Sequence, residues 1–386
     1  NYAHAEGWGT SAMTLCSHSE GKFTISSGVY GHAEGRLTTA SGAMSHAEGE
    51  LTIASGNYGS HAEGWGTSAT TNASHAEGKD TIASNNYSHA EGQGTTASGN
   101  YSHAEGRNTI AASNGSHAEG NGTQANSVNS HAEGKSTIAN GYTSHASGFF
   151  TLAQGAFAHS EGYKTSATTN FTHSQNFETL ASGFFSHAEG RKTTASGGYS
   201  HAEGYQTVSE GNGSHAEGRL TLSSGRFSHA EGFNSTSSGS YSHAEGRNTT
   251  ASGSTSHAEG RNTVAGGHYS HAGGEYSKSL GEQSFVHSSF STSNSENGAI
   301  LGGSQNILFV SATNSVILGG IGITGSTSET VYVPKINIKT LSDGSSDSEI
   351  LTVNSSGYIN KKVATTTTLT FSGSSANMTV LVTRYI

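Results

Sequence analysis

The chain has 386 residues, a formal net charge of −10 and only 12% charged side chains, while Leu, Ile, Val and Phe together make up about 15%, a level that by composition alone points to disorder. One cysteine, Cys16, excludes a disulfide scaffold and any CxxC zinc site, and sparse acidic charge argues against nucleic acid as the main partner. No apolar run approaches the ~18 residues of a membrane-spanning helix, and because Asn1 already lies inside a repeated motif, the chain reads as a piece of a longer one.

Histidine sets the period. It falls at 4, 18, 32, 46 and 61, then every 14 residues to 271; the single step of 15, from His46 to His61, places an extra residue at Gly59. Each unit reads S-H-A-E-G-x-x-T-x-A-S-G-x-Y. It splits into two seven-residue halves with one grammar: a hydroxyl residue, any residue, Ala or Ser, any residue, usually Gly, then two corner residues. Five residues with period-two alternation predict a short strand, and the Gly with the two residues after it predicts a corner, since Gly takes positive φ cheaply. One unit is one coil of a two-stranded solenoid.

In all 20 units the residue after His is Ala or Ser, and so is its counterpart in the second half, from Ala12 to Ser279. An interior of the smallest side chains has to be very thin. It buries little apolar area against the cost of ordering each residue, so further burial must come from outside the single chain, and association of several copies is the simplest source. Residues 1–281 form this repeat region, a rod of about 20 coils and roughly 95 Å at ~4.8 Å per coil.

His and Glu stand at i and i+2 on one outward face, with Glu in 17 of the 20 coils and Ser147, Gln175 and Gly273 in the others. Pairs such as His46–Glu48, His103–Glu105, His201–Glu203 and His243–Glu245 would form a ladder. Three roles compete for it: a solvated polar face, a packed seam between chains made of charge-assisted hydrogen bonds, and metal binding on a symmetry axis. The seam is favoured, because the column hardly varies and then turns apolar at Phe285, at Ala299 with Leu301, and at Val316 with Leu318. Metal is disfavoured, since ions stacked ~4.8 Å apart would repel one another, and no cofactor is expected. The adjacent glutamates should raise the histidine pKa values.

The outward face of the second half alternates aliphatic residues (Ile25, Ile53, Ile82 and Ile110 early on) with polar ones, which predicts a half-covered or exposed surface too mixed for an ice-binding array. One corner column holds aromatics such as Tyr30, Tyr87, Tyr101, Phe171 and Tyr199, expected to stack; Cys16 falls in it as a small buried filler. The other corner carries Lys and Arg with Trp, Tyr and Phe. Exposed rings beside arginine suit the faces of sugars, so Trp8, Trp65, Tyr163, Tyr205, Arg107 and Arg191 are candidate glycan contacts. The plainer reading of this corner is a solvated rim that offsets the Glu ladder.

Residues 282–330 keep the strand-and-corner grammar in Asn297-Gly298-Ala299-Ile300-Leu301-Gly302-Gly303 and Asn314-Ser315-Val316-Ile317-Leu318-Gly319-Gly320, and read as an apolar neck. Residues 331–386 change grammar and read as a β shaft or the start of a further domain. Strands are expected at Val331–Pro334, Ile336–Ile338, Glu349–Val353 and Met378–Val382, with turns at Asp343-Gly344 and Ser356-Gly357.

The S-x-A-x-G unit at period 14 resembles the head repeats of trimeric autotransporter adhesins of the YadA type, and more closely the SHAEG-rich repeats of phage tail-fibre proteins. The likeness covers residues 1–281, and the neck motifs extend it. It implies an all-β fold: a left-handed parallel β-roll in each chain, assembled as a parallel homotrimer. Those adhesins usually carry aliphatic residues where this chain has His and Glu. The segment Thr330–Asn360 is similar to the distal shaft of phage tail fibres.

The function expected is that of a non-enzymatic trimeric fibre of a phage tail or related injection machine, an extracellular rigid element for host attachment. Its partners would be two further copies of itself, other fibre or baseplate proteins, and a host cell-surface receptor or glycan, with no membrane insertion. The alternative is a bacterial trimeric autotransporter adhesin head that binds host matrix or glycans. A glycan-cleaving enzyme would need one unusual carboxylate pair, whereas the repeat region sets its glutamates in a periodic ladder.

Overall fold

The computed structural model describes residues 2–335 and, beyond them, the strands Glu349–Val353, Ile359–Val363, Thr365–Thr370 and Thr379–Arg384. The described residues are all-β, and none of them forms a helix long and apolar enough to cross a membrane. Each repeat makes one turn of a parallel solenoid, with a longer strand such as His103–Arg107 and a two-residue strand such as Ile110–Ala111. The longer strands stack into one 24-stranded parallel sheet. Its register follows the sequence period: His103 lies between His89 and His117, Ala104 between Ala90 and Ala118, Glu105 between Glu91 and Glu119. The strands Phe285–Ser289, Ala299–Ser304, Val316–Leu318 and Val331–Tyr332 extend the sheet past the last histidine coil.

The interior is as thin as the Ala and Ser columns require. Ala33, Ala40, Ala104 and Ala111 are fully buried, as are the flanking Ser102 and Thr109. Where Ser replaces the inner Ala, its hydroxyl often meets a second one, at 2.6 Å in Ser209–Ser214 and Ser237–Ser242 and 2.7 Å in Ser223–Ser228. An unpaired buried hydroxyl costs ~1–3 kcal/mol, so pairing makes serine tolerable there. The hydroxyls of Thr95, Thr109 and Thr123 are buried without a hydrogen-bond partner among the described residues. Past Gly281 the inward column gains volume. Val286, Ile300, Leu308 and Ile317 form a fully buried cluster with Ala312, and Ile323 and Tyr332 pack against it. The sequence marks the neck motifs by their apolar outward face, and their inward face carries the largest fully buried side chains of the unit.

The corners divide their work differently from expectation. Gly106, the last residue of S-H-A-E-G, has φ +105°, and a Cβ there would collide with the carbonyl oxygen of Gly120 in the next coil. The corner residues themselves are left-handed although they carry side chains: in that coil Tyr101 has φ +55° and Asn108 φ +53°. Cys16 stands in the Tyr101 column with φ +52° and is only partly buried, not a core filler, because this column points out of the turn. Gly59 is the bulged residue. His46 still pairs with His61 across it, and no atom approaches the place of its missing Cβ.

The chain divides into two compact units, Asn1–Pro334 and Lys335–Ile386. In the second, Glu349–Val353 pairs antiparallel with Ile359–Val363, and Thr365–Thr370 with Thr379–Arg384. The strand expected at Ile336–Ile338 and the turns at Asp343-Gly344 and Ser356-Gly357 lie outside the described residues.

Candidate functional site

Strict register converts each sequence column into a physical ladder. The imidazoles stack nearly parallel, with centroids 4.7 Å apart at 3° between His89 and His103, and 4.9 Å at 2° between His103 and His117. Up to His201 most Nε2 atoms approach the carboxylate of their own coil, at 3.9 Å in His46–Glu48, 3.7 Å in His103–Glu105 and 3.9 Å in His201–Glu203, while His145, whose own coil carries Ser147, faces Glu133 of the preceding coil at 3.6 Å. These contacts are too long for hydrogen bonds. His215 stands 4.0 Å from both Glu203 and Glu217, and from His229 onward the rings turn to the preceding coil. His243 faces Glu231 at 3.8 Å, and Glu245 accepts from His257 at 3.1 Å, so the expected pair His243–Glu245 is split between two neighbours. His271 bonds Glu259 at 3.2 Å in the same way.

The pKa values of His46, His103, His201 and His243 are lowered, against the rise expected from their glutamates. Burial is the largest cause and the neighbouring imidazoles come next. The carboxylates pull the other way but stand beyond hydrogen-bond reach, whereas a second ring lies against each face. Their Nε2 atoms are shielded from solvent and lack a hydrogen-bond partner among the described residues. Glu105 is raised, through burial and through its neighbour Glu119.

Ligating atoms of His89, Glu91 and His103 lie within 4.8 Å of one another, and other coils repeat the cluster. Parallel rings aim their nitrogen lone pairs alongside one another, not at a common centre, so the arrangement is a stack of donors and not a closed coordination sphere. An open groove of about 810 Å3 runs along the ladder, lined by the carboxylates and glycines from Glu189 to Gly260. It begins at Asn176, where strand pairing lapses between Ser174–Ala188 and Phe177–Arg191.

The candidate glycan contacts all fall in one corner column. Cations cover ring faces there: Lys22 Nζ lies 4.9 Å from the Trp8 ring centroid, and Lys79 Nζ 4.8 Å from that of Trp65. Tyr163, Arg191 and Tyr205 come together in one continuous stretch. Tyr163 stacks on Phe177 at 4.9 Å, Arg191 sits between Phe177 at 5.3 Å and Tyr205 at 5.5 Å, and Arg219 sits between Tyr205 and Phe233 at 5.5 Å each. Trp8, Trp65 and Arg107 stand coils away from that stretch. Arg219, Phe233 and Arg247 belong with Arg191 and Tyr205, and counting on by 14 reaches each of them.

At the opposite corner the aromatics stack as expected, with 5.0 Å between Tyr87 and Tyr101 and 4.7 Å between Phe171 and Phe185. The aliphatic column of the second half is part-exposed, 43% at Ile53 and 37% at Ile110.

A family model described as the YadA head domain repeat (2 copies) matches residues 90–112, 230–256 and 244–270. The matched coils carry the same columns as the rest of the solenoid, which makes the repeat YadA-like and the architecture that of a structural, adhesin-like element. No curated protein matches the chain.

Proposed function

We propose that this chain is a rigid segment of a non-enzymatic extracellular attachment fibre, in which three parallel copies pack through their His–Glu faces. One observation carries the reading. The His–Glu column runs in register through the repeat, with most of its shielded Nε2 atoms finding no hydrogen-bond partner among the described residues, and then continues into Phe285, Val316 and Leu318. A face left incomplete by its own chain but uniform over so many coils fits a seam between copies. The likeness to YadA head repeats supports the same assembly. A stacked β-roll leaves few free strand edges and transmits position stiffly, which suits a fibre that holds a recognition surface away from its base.

The setting we favour is a phage tail or related injection machine, on the SHAEG repeats and the segment Thr330–Asn360; other fibre or baseplate proteins would then be its neighbours. The YadA head match favours a second setting, the surface of a bacterium, with host matrix or glycans as partners. Native mass at neutral pH and near pH 4 tests the assembly. A trimer that dissociates in acid is expected, and a monomer at neutral pH would remove the fibre reading. Finding the chain in purified virions or in an outer-membrane fraction separates the two settings.

A further inference from the structure

We propose that the corner column from Phe177 to Arg247 binds a linear acidic polysaccharide that carries one anionic group for every two sugars. This deepens the attachment role proposed above and rests on it in one respect: the neighbouring Glu ladder has to be covered by other copies for the corner to present net positive charge.

Three features converge on this stretch. Arg191, Arg219 and Arg247 are exposed. Among the described residues the ion pairs of lysine and arginine are Arg36–Glu50, Lys192–Glu178 and Arg261–Glu275, so these three are left without a carboxylate partner. They are also held in place. Aromatic rings at the intervening levels, Tyr205 and Phe233, pack against the guanidinium faces at 5.5–5.8 Å. Stacking occupies the flat face of a guanidinium and leaves its N–H edges free for a carboxylate or sulfate, with little side-chain freedom left to lose on binding.

Spacing sets the ligand class. The arginines recur every second coil, so their charges are ~9.6 Å apart at ~4.8 Å per strand. That is close to the length of two sugars in an extended polysaccharide. A polymer charged at every unit would leave half of its anions over aromatic ring edges. Beside the column, Asn234 donates to Asn248 at 3.0 Å and Asn248 to Asn262 at 2.9 Å. This amide ladder keeps one N–H and one lone pair per residue for sugar hydroxyls.

The full chain is tested against hyaluronan oligosaccharides, which carry one carboxylate per two sugars, with polysialic acid, neutral dextran and duplex DNA in parallel. The variants are Arg191→Ala/Arg219→Ala/Arg247→Ala, the matching triple Arg→Lys set, and Arg226→Ala. Arg226 lies 4.8 Å over Phe227 in the opposite corner column and serves as the matched control. Hyaluronan should bind more tightly than polysialic acid or DNA, and dextran should not bind. The triple Ala variant should bind at least about tenfold more weakly, with a salt slope smaller by about three, whereas the Lys set keeps the slope and Arg226→Ala changes nothing. No binding of hyaluronan, an unaffected triple Ala variant, or DNA bound as tightly as hyaluronan would overturn the proposal. Native mass recorded on the same samples keeps the two readings apart: a trimeric wild type that does not bind hyaluronan overturns the site, and a monomeric wild type overturns the fibre.

Discussion

Gly106 tests how tightly the coils are stacked. Gly106→Ala must relieve a φ of +105°, rarely adopted by an L side chain, and a collision with the carbonyl oxygen of Gly120, whose strand is fixed in turn by the coil beyond. The repeat replaces this glycine once, at Asn176, and the same two register positions also drop out of the pairing in coils that keep it, such as Gly232 and Gly246, so the lapse there is not a measure of the cost. If the collision breaks two ladder bonds at ~1 kcal/mol each, left-handed strain of ~1–3 kcal/mol puts the cost at about 3–5 kcal/mol. Two other glycines separate the terms. Gly59 has φ +81° but open space, so Gly59→Ala should cost only strain, ~1–2 kcal/mol. Gly99 has no left-handed φ, and a Cβ there would strike the Ser113 carbonyl oxygen, so Gly99→Ala isolates the collision. Long repeat arrays do not unfold in a two-state manner, so hydrogen exchange of the flanking coils is the suitable assay. At ~1.4 kcal/mol per tenfold, amides around Gly106→Ala should exchange about a hundredfold or more faster, and those around Gly59→Ala about tenfold. Equal acceleration in both variants would show that close stacking is not what restricts this column.

The lowered histidine pKa values carry a sign. The folded ladder takes up protons less readily than the unfolded chain, so its stability is complete above the ordinary value of 6.5 and is lost as the pH falls below it. NMR titration of His46, His103, His201 and His243 should give midpoints below that value; midpoints above it would restore a charged imidazolium seam. Ala104→Val enlarges a side chain in an interior without slack and should cost ~1–3 kcal/mol. Ile300→Ala, in the same inward column of the neck, should leave a cavity costing ~2–5 kcal/mol. Local hydrogen exchange reads both, and a neutral Ala104→Val would mean that the two sheets are not in contact. Ser223→Ala should change exchange little, because Ser228 keeps its 2.7 Å bond to the Gly225 carbonyl.

The sequence by itself determined the coil, its two strands, the inward Ala and Ser columns, the aromatic stacks and the continuation of the His column into Phe285 and Val316. In a solenoid each coil touches only its neighbours, in register, so a 14-residue period in the chain is a contact in space. What required the tertiary structure was distance and direction across that register. The pKa of His103 moves down because burial, and then rings 4.7–4.9 Å apart, outweigh carboxylates beyond hydrogen-bond reach. His243 turns to Glu231 by a change of side-chain tilt that no spacing encodes. Left-handed Tyr101 and Asn108 could not be told from ordinary corner residues, because the stacked coil and not the residue type imposes their φ. The alternation of Arg191, Tyr205, Arg219, Phe233 and Arg247 was present in the period as identities alone; only the stacked structure made it a ladder of rings and guanidinium groups.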